Sequence, residues 1–303
     1  MSRKKEIVVA AEFDREFRTR FAASFEQIAS LNSGKRFVSV FELAGKHSAG
    51  KGRDVFKSFS NLISALVKGE IDLAVADGTD LPTNLPHGVE IFAVLDRSNP
   101  FDVFISSDDM ILDEQPEEAR VAVTNQVEMG QLLYYRPDLD VVVRGDGFDN
   151  LCAEMENGVL NGFVYPASKV EAIDKQDKVV EVFTSSICMP VAGQGSIAII
   201  GRKGERELKE IVKGLNDMPS YDELLLEKAF AGTVSKDKKA PIGVLSSIDG
   251  RDFKLEGVIV SPDGSERISG SISGKLAESE KLLAELAEEL LSSGGEDIIN
   301  FIE

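Results

Sequence analysis

The spacing of apolar runs in the first hundred residues is what most limits the folds open to this chain. Ile7-Val8-Val9-Ala10-Ala11 is short and β-rich and reads as a buried strand. Between Arg15 and Leu31, the residues Phe17, Phe21, Phe25 and Ile28 fall on one helical face. Phe37 to Leu43 alternates as a second strand, Val55 to Lys68 carries helix signals that stop at Gly69, and Ile71 to Ala76 is a third strand. Strand, helix, strand, helix, strand at this rhythm predicts an α/β fold whose sheet contains parallel strands.

The rhythm returns further on. After a proline-marked loop from Asp80 to Gly88, strands are predicted at Val89–Leu95, Val121–Val123, Asp140–Val143, Gly162–Tyr165 and Gly195–Ile200. Helices are predicted at Val127–Tyr134, Phe148–Asn157 and Glu205–Leu215. Composition shifts near Asn216-Asp217-Met218-Pro219. Beyond it, Lys254–Val260 and Glu266–Ile272 flank the turn Ser261-Pro262-Asp263-Gly264, a hairpin signature. A last helix, Leu276–Leu291, aligns Leu276, Leu283, Leu286 and Leu290 and is expected to stop at Gly294-Gly295.

Composition narrows the function classes. The 303 residues hold 34 Lys plus Arg against 52 Asp plus Glu, a formal charge of −18. That balance argues against nucleic acid or an anionic membrane as a partner, since both need a basic surface. The two cysteines, Cys152 and Cys188, do not form a disulfide scaffold or a metal-ligand spacing and read as small buried or half-buried residues. With two histidines, His47 and His87, in loops, no metal site is expected. The segment Gly45–Gly52 lacks the spacing of a phosphate-binding P-loop. No apolar run approaches a membrane span and the start has no signal-peptide core, so a cytoplasmic location is expected.

Several strings are more specific. Leu66 to Val75, Asp80-Leu81-Pro82-Thr83, Leu85-Pro86-His87-Gly88 and Arg97-Ser98-Asn99-Pro100 come first. Gln131-Leu132-Leu133 with Arg136-Pro137-Asp138-Leu139, Val143-Arg144-Gly145, Pro190 to Gly195, Glu227-Lys228-Ala229-Phe230 and Pro241-Ile242-Gly243 follow in order. Together they resemble hydroxymethylbilane synthase, also called porphobilinogen deaminase. The resemblance implies two periplasmic-binding-protein-like (type II) domains around a cleft, plus a small C-terminal α+β domain. It places domain 1 at 1–97 and 197–216, domain 2 at 98–196 and domain 3 at 217–303, and favours a monomer. It also implies a reaction: porphobilinogen is polymerised on a dipyrromethane primer that hangs from a cysteine by a thioether.

That reaction needs Arg and Lys partners for carboxylate arms, an Asp beside the cationic pyrrole nitrogens, and a thiol. On the resemblance, Asp80 is the catalytic aspartate, and Arg144, Thr83 and Gln194 are the substrate-binding residues retained. Other positions are altered. The family's His-Ser-x-Lys-Asp reads Ala76-Asp77-Gly78-Thr79-Asp80, so Asp77 and Thr79 replace Ser and Lys. Its Ser-Ser-x-Arg-Arg-x-x-Gln reads Thr124 to Gln131, with Val127 and Glu128 at the arginine positions. Asn150, Glu171, Ser60, Glu12 and Asp14 also stand where the family has ligand-facing residues, and Lys238 stands at the primer cysteine.

An amine cannot reproduce the thioether, so no cofactor is expected. The reading that follows is a porphobilinogen deaminase-like protein without deaminase activity, kept as a binding or regulatory protein for an unknown small-molecule ligand. One alternative is a divergent but active hydroxymethylbilane synthase. Another is a cleft in which Glu12, Asp14, Asp77, Asp80, Glu128 and Glu171 bind a cationic ligand or a divalent ion through oxygens.

Overall fold

The computed structural model describes residues 6–11, 15–31, 36–39, 58–235 and 240–301. In chain order these form β1 (Glu6–Ala11), α1 (Arg15–Ser30), β2 (Arg36–Ser39), α2 (Phe59–Lys68), β3 (Leu73–Asp77), β4 (Val89–Val94), β5 (Asp102–Ser106) and β6 (Arg120–Val123). Then come α3 (Gln126–Tyr135), β7 (Asp140–Val143), α4 (Phe148–Glu156), β8 (Gly162–Pro166), α5 (Ala167–Ala172), β9 (Glu181–Val182), β10 (Ile197–Arg202), α6 (Arg206–Val212) and α7 (Met218–Ser235). The C-terminal part holds β11 (Ile242–Asp249), β12 (Asp252–Val260), β13 (Arg267–Lys275), α8 (Ser279–Leu290) and α9 (Glu296–Phe301). The expected loop 45–52 and residues 40–43 and 55–57 of two expected elements lie outside the described residues. Among the described residues, no helix is long and apolar enough to cross a membrane.

Chain contacts divide the protein into two units, residues 1–97 with 196–221, and residues 98–195 with 222–303. The first unit holds a sheet of order β2-β1-β3-β10-β4. Its first three strands pair in parallel and β10 runs antiparallel between β3 and β4. All five residues of β3 are buried, which explains an apolar run without alternation. The helices follow from local chemistry. Ser58 caps α2 by accepting the Asn61 amide, and Gly69 closes it in the left-handed conformation at φ 74°. Phe21 and Ile28 of α1 join Val9, Val75, Phe92 and Ile199 in one core.

The sheet of the second unit has order β7-β6-β8-β5-β9. Here β6 pairs in parallel with β7 and β8, while β5 runs antiparallel between β8 and β9. Both sheets therefore share one pattern: a parallel trio, an antiparallel strand, then a final strand. In the first unit the antiparallel strand is β10, from after the whole second sheet in sequence. In the second it is β5, from before the rest of that sheet. This is the mixed α/β arrangement of type II periplasmic-binding-protein domains. Apolar clusters cover both faces, with Phe104, Val121 and Leu132 in one and Ile105, Phe148 and Phe163 in the other.

Residues from 222 onward cluster with this second unit. They include a small three-stranded antiparallel sheet, β11-β12-β13, with Leu283, Leu286 and Leu290 of α8 in its core. The expected hairpin is β12–β13. The helix stop expected at Gly294-Gly295 is a kink instead, with Gly294 at φ 118°, and α9 resumes to bury Ile298 and Ile299. The strands β5, β9 and β11 and the helices α5 and α7 are additional to the elements read from sequence.

Candidate functional site

In the first unit, the loop after β3 carries three of the altered or retained positions. Asp77 ends the strand and caps a helical turn at Gly78–Asp80, its Oδ1 accepting from the Thr79 amide and hydroxyl, both at 3.0 Å. Its Oδ2 accepts from Arg20 Nη1 at 2.5 Å, in an ion pair with both side chains buried. Asp77 therefore faces the core side of α1. Thr79, Asp80 and Thr83 are exposed. Asp80 and Ser60 line one open depression of about 650 Å³, with Lys68 on its helical wall and Asn84 on its loop wall. The structure thus brings Ser60 and Asp80 together.

In the second unit, the altered arginine positions sit at the start of α3. Asn125 caps the helix, its Oδ1 accepting from the Val127 and Glu128 amides at 2.9 and 3.0 Å. The Glu128 side chain folds back over the same turn. It accepts from the Thr124 amide at 2.5 Å, the Thr124 hydroxyl at 2.7 Å and Asn125 Nδ2 at 2.6 Å. This is a capping arrangement in which one carboxyl satisfies donors that a helix start leaves open. Glu128 is only 2% exposed, and Val127 is buried beside it.

Burial, and then the charge of Asp102, push the Glu128 carboxyl up to about 8. Asp102, at the start of β5, is itself raised to about 6 by burial, against the pull of hydrogen bonds from Gln194 and Cys188. Those bonds measure 2.7 Å from Gln194 Nε2 and 3.5 Å from Cys188 Sγ. Burial and the two neighbouring carboxyls drive the Cys188 thiol well above its ordinary range, so it stands here as a thiol, not a nucleophilic thiolate.

The remaining positions spread over the unit. Arg144, at the end of β7, donates to the Val143 carbonyl at 3.3 Å and lies 3.6 Å from Glu154 of α4. Asn150 is exposed on α4, and Glu171 is half-buried on α5. Gln194 is expected at a ligand but is 2% exposed, with its amide donating to the Pro100 carbonyl and to Asp102. Glu12, Asp14 and Lys238 lie outside the described residues. Of the six acids expected to gather for a cation, Asp77 and Glu128 are thus spent on internal bonds. Among the described residues, no group of three or more His, Cys, Asp or Glu could hold a metal ion.

Sequence reasoning missed the roles of Asp102 and Glu227. Glu227, fully buried on α7, accepts from the Gly193 amide at 2.8 Å and from the Ser246 amide and hydroxyl at 2.9 and 3.1 Å. The only advance signal was that Glu227 falls within a string that persists while ligand-facing residues change.

A family model described as "Porphobilinogen deaminase, dipyromethane cofactor binding domain" matches residues 47–210, and one described as "Porphobilinogen deaminase, C-terminal domain" matches residues 223–292. The chain is 33% identical over 238 residues to the porphobilinogen deaminase of Pelotomaculum thermopropionicum, covering 78% of this chain and 76% of that one. It is 34% identical over 250 residues to that of Rubrobacter xylanophilus, covering 82% and 80%. Among solved structures it is similar to the BvgS VFT2 domain of Bordetella pertussis, with a TM-score of 0.45 and 17% identity, covering 76% and 94%.

These matches correct one expectation. The absence of a cofactor was expected from Lys238, but the matched domain is a dipyrromethane cofactor binding domain, which points to that group. The donors present differ from those the resemblance implies for it. The positions that the resemblance aligns with the family's clamp hold, among the described residues, Ser60, Thr79, Val127, Glu128 and Asn150, none of them a cation, and Arg144 lies 3.6 Å from Glu154. On that resemblance they offer the carboxylate arms fewer cations than the family's residues do. With a family model matched over more than half of the sequence and relatives above 30% identity across most of it, the chain belongs to the porphobilinogen deaminase family of tetrapyrrole biosynthesis.

Proposed function

We propose that this protein is a porphobilinogen deaminase-family member that does not polymerise porphobilinogen and has been kept as a cytoplasmic, monomeric binding or regulatory protein. The observation that carries the reading is Glu128. It stands where the resemblance implies a guanidinium, and its carboxyl is turned into the turn that starts α3. A substrate carboxylate arriving there would find the Thr124, Val127 and Glu128 amides already bonded. Each charge-assisted hydrogen bond that cannot form costs on the order of 2–3 kcal/mol of ligand binding. Four neutral side chains at the other described clamp positions compound that deficit.

Asp80 keeps the family's aspartate, and its place in an open depression beside Lys68 leaves a small ligand some room. The cationic-ligand reading has less support, because Asp77 and Glu128 are engaged inside the fold. The test is to supply purified protein with porphobilinogen and measure hydroxymethylbilane. The proposal expects none, and release of hydroxymethylbilane over repeated turnovers overturns it. Intact mass on the same sample reports separately on the dipyrromethane group to which the family match points.

A further inference from the structure

The stretch Cys188–Gly195 lies between two sets of bonds within the second unit. On one side it covers the buried acids of the sheet. Gln194 and Cys188 both bond to Asp102, and Gln131 of α3 clasps Met189 twice, through the Met189 amide at 2.7 Å and the Met189 carbonyl at 2.9 Å. On the other side it carries the C-terminal sheet. Val191 bridges Gly243, the Val244 amide donates to the Pro190 carbonyl at 2.7 Å, and the Gly193 amide donates to Glu227 at 2.8 Å. The fit is close: a Cβ added at Gly243 would sit 2.8 Å from the Met189 carbonyl oxygen and from Met189 Cβ.

Among the described residues, the titratable and charged groups placed against this stretch include Asp102 from β5, Glu128 from α3, Cys188 from the stretch itself, Glu227 from α7 and Arg267 from β13. Arg267 is a cation among them. Its Nη1 donates to Ser269 and its guanidinium lies 5.9 Å from the Tyr134 ring centroid. Burial, and the charge of Asp102 beside Glu128, keep the two acids from ionising together. Ionising both would place like charges together in a dry interior, which proteins relieve by admitting water or moving. Cys188 and Gln194 bond to the two oxygens of Asp102, which is 1% exposed.

We propose that Cys188–Gly195 is a latch, held shut while the Asp102–Glu128 pair keeps one proton, and that losing this proton loosens the C-terminal sheet from the lobe built on β5–β9. Mildly acidic to neutral conditions keep the latch closed, since Glu128 gives up its proton only near pH 8. The device is independent of whether the protein turns over porphobilinogen.

Hydrogen exchange read by mass spectrometry tests it on the full chain, with rates corrected for the intrinsic effect of pH. Protection of the segments 189–195 and 242–246 should fall about thirtyfold between pH 6.5 and pH 9, as the ionised fraction of Glu128 rises from about 0.03 to about 0.9. Glu128→Gln should hold its protection across the same range. Should that variant fail to fold, Asp102→Asn, which removes the other charge, should behave alike. Unchanged protection in the parent protein, or an equal fall in the folded variant, overturns the proposal.

Discussion

Arg20 Nη1 and Asp77 Oδ2 lie 2.5 Å apart, 57 residues distant in sequence, in an ion pair that solvent barely reaches. The pair explains how an acid came to stand where the resemblance implies a serine without adding charge to the surface. Asp77 joins α1 to the end of β3 and orders the turn that presents Asp80. Asp77→Ala removes a charge-assisted hydrogen bond from the buried Arg20, a change that costs about 1.5–3 kcal/mol. Urea unfolding should show that loss, while an Arg20→Met, Asp77→Leu double variant should recover part of it. Equal stability of Asp77→Ala and the parent would mean that the pair contributes nothing.

Glu227 ties the C-terminal sheet to the Gly193 loop. Glu227→Ala would strand the Gly193 and Ser246 amides, and each unmet buried donor costs about 1–3 kcal/mol. We expect a drop in thermal midpoint, together with faster hydrogen exchange at those two amides. Glu227→Gln retains an acceptor and should lose clearly less.

Stability should depend on pH through Glu128. Its folded-state carboxyl titrates near 8, above the ordinary value of 4.5, so the folded state holds a proton that the unfolded chain releases. The resulting contribution is full below about pH 4.5, declines as pH rises towards 8, and is flat beyond. Asp102, raised to about 6, adds a decline of the same sign at lower pH. A combined loss on the order of 5 kcal/mol between pH 5 and pH 8 is expected in urea titrations. Glu128→Gln should flatten the upper part of that curve.

Gly130 allows α3 to approach the β12–β13 turn. A Cβ there would fall 2.4 Å from the Ser261 carbonyl oxygen, a clash that backbone must move to relieve. Gly130→Ala should therefore destabilise the protein by about 1–3 kcal/mol, although alanine favours helices. A gain in thermal midpoint would contradict this packing.

The elements whose apolar spacing matched their burial were legible in the sequence. β3 is buried on both faces, and the β12–β13 hairpin is announced by its turn. α7 was not legible, because Leu224, Leu226, Phe230 and Val234 are all buried and leave it no single apolar stripe. Its Pro219 suggested a break, yet proline in the first turn costs a helix little, since that amide has no partner there anyway. β5 was hidden by its short length and by Asp102, whose partners Cys188 and Gln194 lie 86 and 92 residues away. Asp80 and Ser60 share a depression, which their separate strings in the sequence do not announce. That Asp77, Glu128 and Gln194 face inward could not be read, because each is decided by a partner or cap geometry rather than by residue type.

The most direct measurement is turnover of porphobilinogen by the purified chain, followed as hydroxymethylbilane. With Glu128 folded into the cap of α3 and Arg144 drawn to Glu154, the expected result is no product above a protein-free control. Sustained formation of hydroxymethylbilane in proportion to protein concentration would contradict it.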